Sequence, residues 1–172
     1  MEIWDVYDEN RARTGKTVSR GEPLLPGERH LAVHVCLFNR RGEMLIQRRH
    51  PDKPLWPGAW DLSAGGAAVA GDDSRSAAER EAFEELGLKL DLSGTRPVLT
   101  VNLPHCFNDI YLIEREVDVD ALTLQPEEVV AVRWASQREI CRMIDEGTFV
   151  AFHKGFIAAL FDMRKNGDAK QR

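Results

Sequence analysis

The chain has 172 residues, 43% of them hydrophobic and 30% charged, which is typical of one globular domain with a sizeable core. Its formal net charge of -5 and the lack of a basic run argue against broad binding to the phosphate backbone of nucleic acids. Three widely spaced cysteines, no basic N-terminal region before an apolar run, and no apolar stretch near the ~18 residues of a membrane span predict a cytoplasmic protein without membrane association.

The first half of the chain reads mainly as β-structure. Residues 3–7 and 17–20 are rich in β-formers and flank turn-prone residues, which predicts an N-terminal hairpin. After a proline-containing connection, residues 30–38 and 44–49 are apolar runs of strand length and predict adjacent central strands. We expect a single domain over residues 1–172, with the hairpin and its lead-in at 1–27.

Two pairs of polar residues lie on these central strands. His30 and His34 share a strand face, but no Cys or His cluster is near them in the sequence, so we interpret them as core or surface histidines. Arg48 and Arg49 end the second strand and are candidates for bidentate contacts with a substrate phosphate, although a solvated pair fits equally well. Residues 51–60 are predicted to be irregular because of their prolines.

A helix of about three turns is predicted after a glycine loop at Gly65-Gly66, with its end at Gly87. Three glutamates fall within roughly 100° of its circumference, beside an apolar stripe. They are Glu81, Glu84 and Glu85. They repel one another, and Arg80 offsets only part of the repulsion. A divalent cation such as Mg²⁺ removes the conflict and is usually held together with substrate phosphates, whereas a lone run of this kind is more often a solvated acidic face.

The wider pattern of residues 66–88 decides between these interpretations, because it resembles the Nudix box, G-x5-E-x7-R-E-U-x-E-E-x-G-U with U apolar. The matching positions are Gly66, Arg80, Glu81, Ala82, Glu84, Glu85, Gly87 and Leu88. Six identities at fixed spacing arise by chance in about one in 10⁵ chains of this length. Asp72 stands where the family usually has Glu, so it keeps the charge with a shorter reach and could bind a metal or cap the helix.

Downstream of the box, residues 97–103, 108–115 and 128–134 predict further strands of a mixed sheet. Ser136-x-x-Glu139 predicts a capping box and a helix ending at Gly147, followed by a last helix that ends at Asn166-Gly167. Asp109, at the start of a strand, is a weak acidic candidate. Glu127 and Glu128 lie in a predicted loop, where the family often places an additional acidic ligand or base; a solvated pair is the alternative.

The resemblance implies a Nudix-type α/β/α sandwich over residues 30–161 and hydrolysis of a nucleoside diphosphate linked to a moiety X by activated water. It implies Mg²⁺, or alternatively Mn²⁺, as the cofactor, a small nucleotide or diphosphate as the substrate, and a homodimer as a common assembly. Glu84 and Glu85 would bind the metal with help from Asp72, and Glu81 would be a ligand or the general base. Arg80 would orient the cluster, and Glu127 or Glu128 could replace Glu81 as the base.

Two segments outside the box, WDVYDENRARTG and LIQRRHPDKPLWPGAWDLSAGG, resemble the Nudix branch related to isopentenyl-diphosphate isomerase. Isomerase activity is the first alternative, but Gly65 and Ala67 occupy the positions of that enzyme's catalytic cysteine and metal-binding histidine. The second alternative is a non-catalytic module that binds a nucleotide or a protein. It is disfavoured because such modules usually lose the box glutamates. The identity of X stays open.

Overall fold

The computed structural model describes residues 2–164, which form an α/β/α sandwich. The strands are β1 Ile3–Tyr7, β2 Arg13–Ser19, β3 His30–Phe38, β4 Met44–Arg49, β5 Trp60–Asp61, β6 Ala64–Ala67, β7 Leu99–Leu103, β8 Cys106–Glu114 and β9 Val129–Ala135. The helices are α1 Ser74–Leu86, α2 Gln137–Asp145 and α3 Lys154–Met163, with a short 3-10 turn at Val119–Ala121. One hydrophobic cluster joins α1 to the sheet, and a second joins α2 and α3 to its other face. The predicted fold class is therefore confirmed.

The sheet is mixed, as predicted, because β3 pairs in parallel with β8 whereas the other strand pairs are antiparallel. The predicted adjacency of β3 and β4 is only partly correct. The two strands pair at Phe38 and Met44 and then diverge, and β6 pairs with β3 beyond that point. The buried Ser63 hydroxyl connects β3 and β4 where they diverge. It accepts from the Leu37 amide at 2.8 Å and donates to the Leu45 carbonyl at 2.5 Å.

Helix α1 agrees closely with its prediction, with 13 residues between two caps. The Asp73 side chain accepts from two backbone N–H groups of the first turn, so the capping role considered for Asp72 falls on the next residue. Gly87 ends the helix with φ of 67°, a left-handed conformation that glycine adopts without strain. The small apolar residues of α1 are buried against the sheet, and this fixes the direction in which the adjacent glutamates point.

Several boundaries differ from the prediction. The return strand of the hairpin begins at Arg13 rather than at residue 17, and the predicted loop at Gly65-Gly66 is part of strand β6. Glycine is required there because a Cβ on Gly65 would lie 2.6 Å from the Val33 carbonyl oxygen of the neighbouring strand. The capping box at Ser136 is confirmed. The predicted helix end at Asn166-Gly167 lies outside the described residues.

The N-terminal hairpin is fastened to the domain by a buried carboxylate. Asp109, which is fully buried on β8, forms an ion pair with the Arg11 guanidinium that includes one N–H···O bond of 2.9 Å. The same carboxylate accepts from the Ser74 and Thr100 hydroxyls at 2.5 and 2.6 Å. Burial raises the pKa of Asp109, but the hydrogen bonds and the Arg11 charge outweigh it and hold that pKa below its ordinary value. Asp109, a weak site candidate in the sequence, therefore has a clear structural role. None of the helices in residues 2–164 is long and apolar enough to cross a membrane.

Candidate active site

A cavity of about 410 Å³ is lined by β3, β4, β6 and α1, and the three box glutamates form part of its wall. Two clefts of about 530 and 430 Å³ near the N-terminal end of α1 are larger, but neither contains a box glutamate. The cavity size is in the range of small-ligand sites. The glutamates, rather than the volume, identify this cavity as the candidate active site.

Glu85 is the most buried of the three glutamates, with 5% of its surface exposed. Its Oε2 accepts from the Gly65 amide of β6 and from Gln47 Nε2 of β4, each at 3.0 Å. Burial, reinforced by the charge of Glu81, raises the pKa of Glu85 to about 8 against the opposing effect of these hydrogen bonds. The carboxyl thus links strands β4 and β6, in a position where the protein compensates little of its negative charge.

Arg80 forms ion pairs with the other acidic residues of the box. Its guanidinium contacts Glu81 at 2.9 Å, Glu84 at 2.8 Å and Asp72 at 3.1 Å. It also donates to the Ala67 carbonyl of β6 at 2.9 Å. Asp72 therefore lies on the Arg80 side of the cluster and does not line the cavity, whereas Glu84 does.

The Glu81 carboxylate lies directly over the backbone of β6. A Cβ built on Gly66 would be 2.5 Å from Glu81 Oε1, so only glycine leaves room for the carboxylate there. Burial raises the pKa of Glu81 to about 7, although the neighbouring Arg80 opposes the shift. The first glycine of the box and its first helix glutamate are thus coupled by direct contact.

Basic side chains line another part of the same cavity. Arg49 extends into the lining and pairs with Asp61 at 3.2 Å, and Lys53 pairs with Glu128. Glu128, a candidate base, therefore lines the cavity with its carboxylate engaged by an ammonium. Arg48 lies on the opposite face of β4, where its Nε donates to the Gly58 carbonyl at 3.0 Å, and it does not line the cavity. The structure thus separates the two arginines that the sequence analysis treated as a pair.

Some lining residues were not identified from the sequence. The N-terminal hairpin contributes Glu2, Trp4 and Arg20, and the Trp4 ring stacks on His30 with 4.5 Å between the ring centroids. His30 and His34, which the sequence analysis left out of the site, both line the cavity. Their polar character on one face of an otherwise apolar strand was the available signal. The contribution of the hairpin had no such signal, because it depends on tertiary packing.

The donor set fits the divalent cation that the resemblance implies. Glu81, Glu84 and Glu85 offer hard oxygen atoms around one cavity, and the raised pKa values of Glu81 and Glu85 reflect charge that a cation would stabilise. Over residues 2–164, no three His, Cys, Asp or Glu side chains are grouped closely enough to hold a metal ion. The Arg80 guanidinium lies between Glu81 and Glu84 and forms an ion pair with each of them.

The positions that distinguish an isomerase lie in the same lining. Gly65 and Ala67 of β6 face the cavity without a thiol or an imidazole. The three cysteines are unpaired, Cys36 is buried, and none of the three lines this cavity. Burial raises the pKa of the Cys106 thiol to about 11, so that thiol is a poor source of thiolate.

The NUDIX domain family model matches residues 28–160. Relatives include an uncharacterised Nudix hydrolase of Listeria monocytogenes, 46% identical over 95% of this chain and 96% of the relative. The isopentenyl-diphosphate Delta-isomerase of Streptomyces coelicolor is 32% identical over 87% of this chain and 79% of its own. A crystal structure of a Deinococcus radiodurans protein has a TM-score of 0.73 and 28% identity, covering 87% of this chain and 92% of that chain. The chain therefore belongs to the Nudix hydrolase family, with isopentenyl-diphosphate isomerase among its distant relatives, and it is a pyrophosphohydrolase.

Proposed function

We propose that the chain hydrolyses a phosphoanhydride bond in a nucleoside diphosphate linked to a moiety X, with Mg²⁺ as the cofactor and Mn²⁺ as a substitute. The observation that carries this proposal is that the box glutamates share one cavity with Arg49 and Lys53. Carboxylates hold hard cations, and guanidinium and ammonium groups bind phosphate oxygens. The two kinds of group together suit a metal-bound diphosphate.

The lining also supports a polar substrate over a prenyl diphosphate. Most of the lining side chains are charged or polar, and the larger apolar side chains among them are Trp4 and Leu55. A prenyl tail would require a continuous apolar pocket, whereas a nucleotide presents hydrogen-bonding groups and one planar base. The polar lining therefore favours a nucleotide.

We assign roles to the residues by their positions. A divalent ion bound there would neutralise charge on the diphosphate and make the attacking water more acidic. Glu84 and Glu85 would hold the ion, Glu81 would be a further ligand or the general base, and Arg80 would orient Glu81 and Glu84. Arg49 binds a substrate phosphate. Asp72 acts through its ion pair with Arg80.

Glu81 is our first choice for the general base because its carboxylate lines the cavity beside β6. Glu128 is the second choice, since its pairing with Lys53 leaves it less free to accept a proton. Matched Glu81→Gln and Glu128→Gln variants separate the two. Loss of the base should lower kcat by about 10²- to 10⁴-fold in one variant only.

The experiment that tests the proposed function measures phosphate or nucleotide release from a panel of substrates in Mg²⁺ and in excess chelator. The panel contains ADP-ribose, nucleotide sugars, nucleoside di- and triphosphates, dinucleotides and isopentenyl diphosphate. Metal-dependent cleavage of one nucleotide class supports the proposal and identifies X. An isomerised prenyl product would refute the proposed nucleotide hydrolysis and indicate isomerase activity. Binding without turnover would indicate a non-catalytic module.

A further inference from the structure

The amide oxygen of Gln47 is a buried acceptor without a partner. Gln47 is 3% exposed and lines the cavity beside Glu85. Its Nε2 donates to Glu85 Oε2 at 3.0 Å. Within residues 2–164, its Oε1 is the one buried side-chain nitrogen or oxygen that has no hydrogen-bond partner. Because native proteins leave very few buried polar atoms unpaired, such an atom beside a cluster of carboxylates requires an explanation.

The orientation of the amide follows from its neighbour. An ionised Glu85 only accepts hydrogen bonds, so it must face the NH₂ group of Gln47 rather than the oxygen. A reversed amide would set two acceptors against each other and would bury an unpartnered NH₂ group. With Glu85 ionised, the NH₂ group is therefore the end of the amide that pairs with that carboxylate, and no donor within the described residues reaches Oε1.

We propose that Gln47 Oε1 is an additional, neutral oxygen ligand for the divalent cation at the α1 glutamates. Hard cations bind amide oxygens alongside carboxylates in mixed oxygen shells. A cation at this position satisfies the orphaned acceptor, while the Nε2 group of the same side chain fixes Glu85. The inference rests on the proposed function in that both require a cation at these glutamates, but it concerns binding of the metal and not turnover.

The strand geometry explains how Gln47 reaches the site. Residues 45, 47 and 49 of β4 share one face, with Leu45 in the core and Arg49 in the cavity lining. Gln47 lies between them, where the core meets the cavity. One strand thus carries a proposed metal ligand and a proposed phosphate ligand at adjacent positions on the same face.

The test measures Mn²⁺ binding in the absence of substrate, by electron paramagnetic resonance of free Mn²⁺, for wild type, Gln47→Met and Gln47→Glu. Methionine approximates the length of glutamine without its oxygen, and glutamate keeps an oxygen but removes the NH₂ donor to Glu85. We expect Gln47→Met to raise the Kd for Mn²⁺ by about tenfold or more, as is typical when a partner in a metal site is lost. Gln47→Glu should bind within about threefold of wild type or more tightly, because a carboxylate is a stronger ligand for a hard cation.

Other outcomes overturn the inference. Unchanged binding in Gln47→Met means that the oxygen is not a ligand, and equal weakening in both variants means that Gln47 acts only by orienting Glu85. Absence of Mn²⁺ binding by the wild type also refutes it. A wild type that binds Mn²⁺ through Gln47 but cleaves nothing in the substrate panel refutes the proposed function alone.

The thermal midpoint with and without Mn²⁺ provides a second readout, because a ligand that binds the folded state raises it. The increase should be smaller for Gln47→Met than for Gln47→Glu. The midpoint without metal also shows whether each variant is folded.

Discussion

Replacement of Glu85 by glutamine removes a charge from the proposed metal site while preserving the contacts of the side chain. Both protein donors, Gln47 Nε2 and the Gly65 amide, bind the same oxygen, Oε2. A glutamine with its oxygen in that position accepts both, and it buries no charge. Because burial raises the pKa of Glu85 to about 8, the glutamate loses stability as the pH rises above its ordinary pKa, so we expect the free energy of unfolding without metal at neutral pH to be unchanged or higher in Glu85→Gln.

The effect of Glu85→Gln on catalysis should be far larger. Loss of one electrostatic stabiliser usually lowers kcat by about 10²- to 10³-fold. That factor corresponds to about 2.7–4 kcal/mol of transition-state stabilisation. The assay compares kcat on the best substrate of the panel over a range of Mg²⁺ concentrations. Weak activity that high Mg²⁺ partly restores would identify a lost metal ligand.

Glu79→Gln is the matched control for this variant, because Glu79 lies on the same helix, accepts from the Leu92 amide at 2.6 Å and does not line the cavity. The control should retain the wild-type kcat. Full activity in a correctly folded Glu85→Gln variant would refute the proposed metal site. Equal losses in both variants would show that the effect is not specific to the cavity.

Three further predictions concern other parts of the structure. Arg49→Ala should lower kcat/KM by roughly 10- to 100-fold, the value of a charge-assisted hydrogen bond, whereas Arg48→Ala should have little effect; equal effects would contradict the assignment. Gly66→Ala should displace the Glu81 carboxylate and lower kcat in a protein with a native circular dichroism spectrum, and wild-type activity would show that the contact is dispensable. Folding lowers the pKa of Asp109, so its ionised form stabilises the fold at pH values above the ordinary pKa of about 3.9. This stabilisation is lost as the pH falls through the lower pKa of the folded state. In urea unfolding, the stability difference between wild type and Asp109→Asn should therefore be large at neutral pH and shrink at strongly acidic pH, and a constant difference would refute this reasoning.

The sequence was informative about the site wherever local rules apply. A helix repeats every 3.6 residues, so the spacing of Glu81, Glu84 and Glu85 sets their common direction before any tertiary contact is known. Gly87 ends the helix for an equally local reason, since it adopts a left-handed conformation. Strand alternation could also have separated the two arginines, because side chains two positions apart lie on the same face of a strand. Arg49 therefore shares a face with Gln47 and lies opposite Arg48.

The family and the fold class were available from the sequence because the box is a contiguous pattern whose spacing reflects one helix and the loop before it. The cavity required the tertiary structure. It depends on the divergence of β3 from β4, on the insertion of β6 beside β3, and on the hairpin that Arg11 and Asp109 fasten to the domain. Gln47 and Glu85 are 38 positions apart, and no local rule predicts their contact or the unpartnered oxygen that it leaves. The helix period thus determined which carboxylates lie together, and the packing of distant strands decided which other side chains meet them.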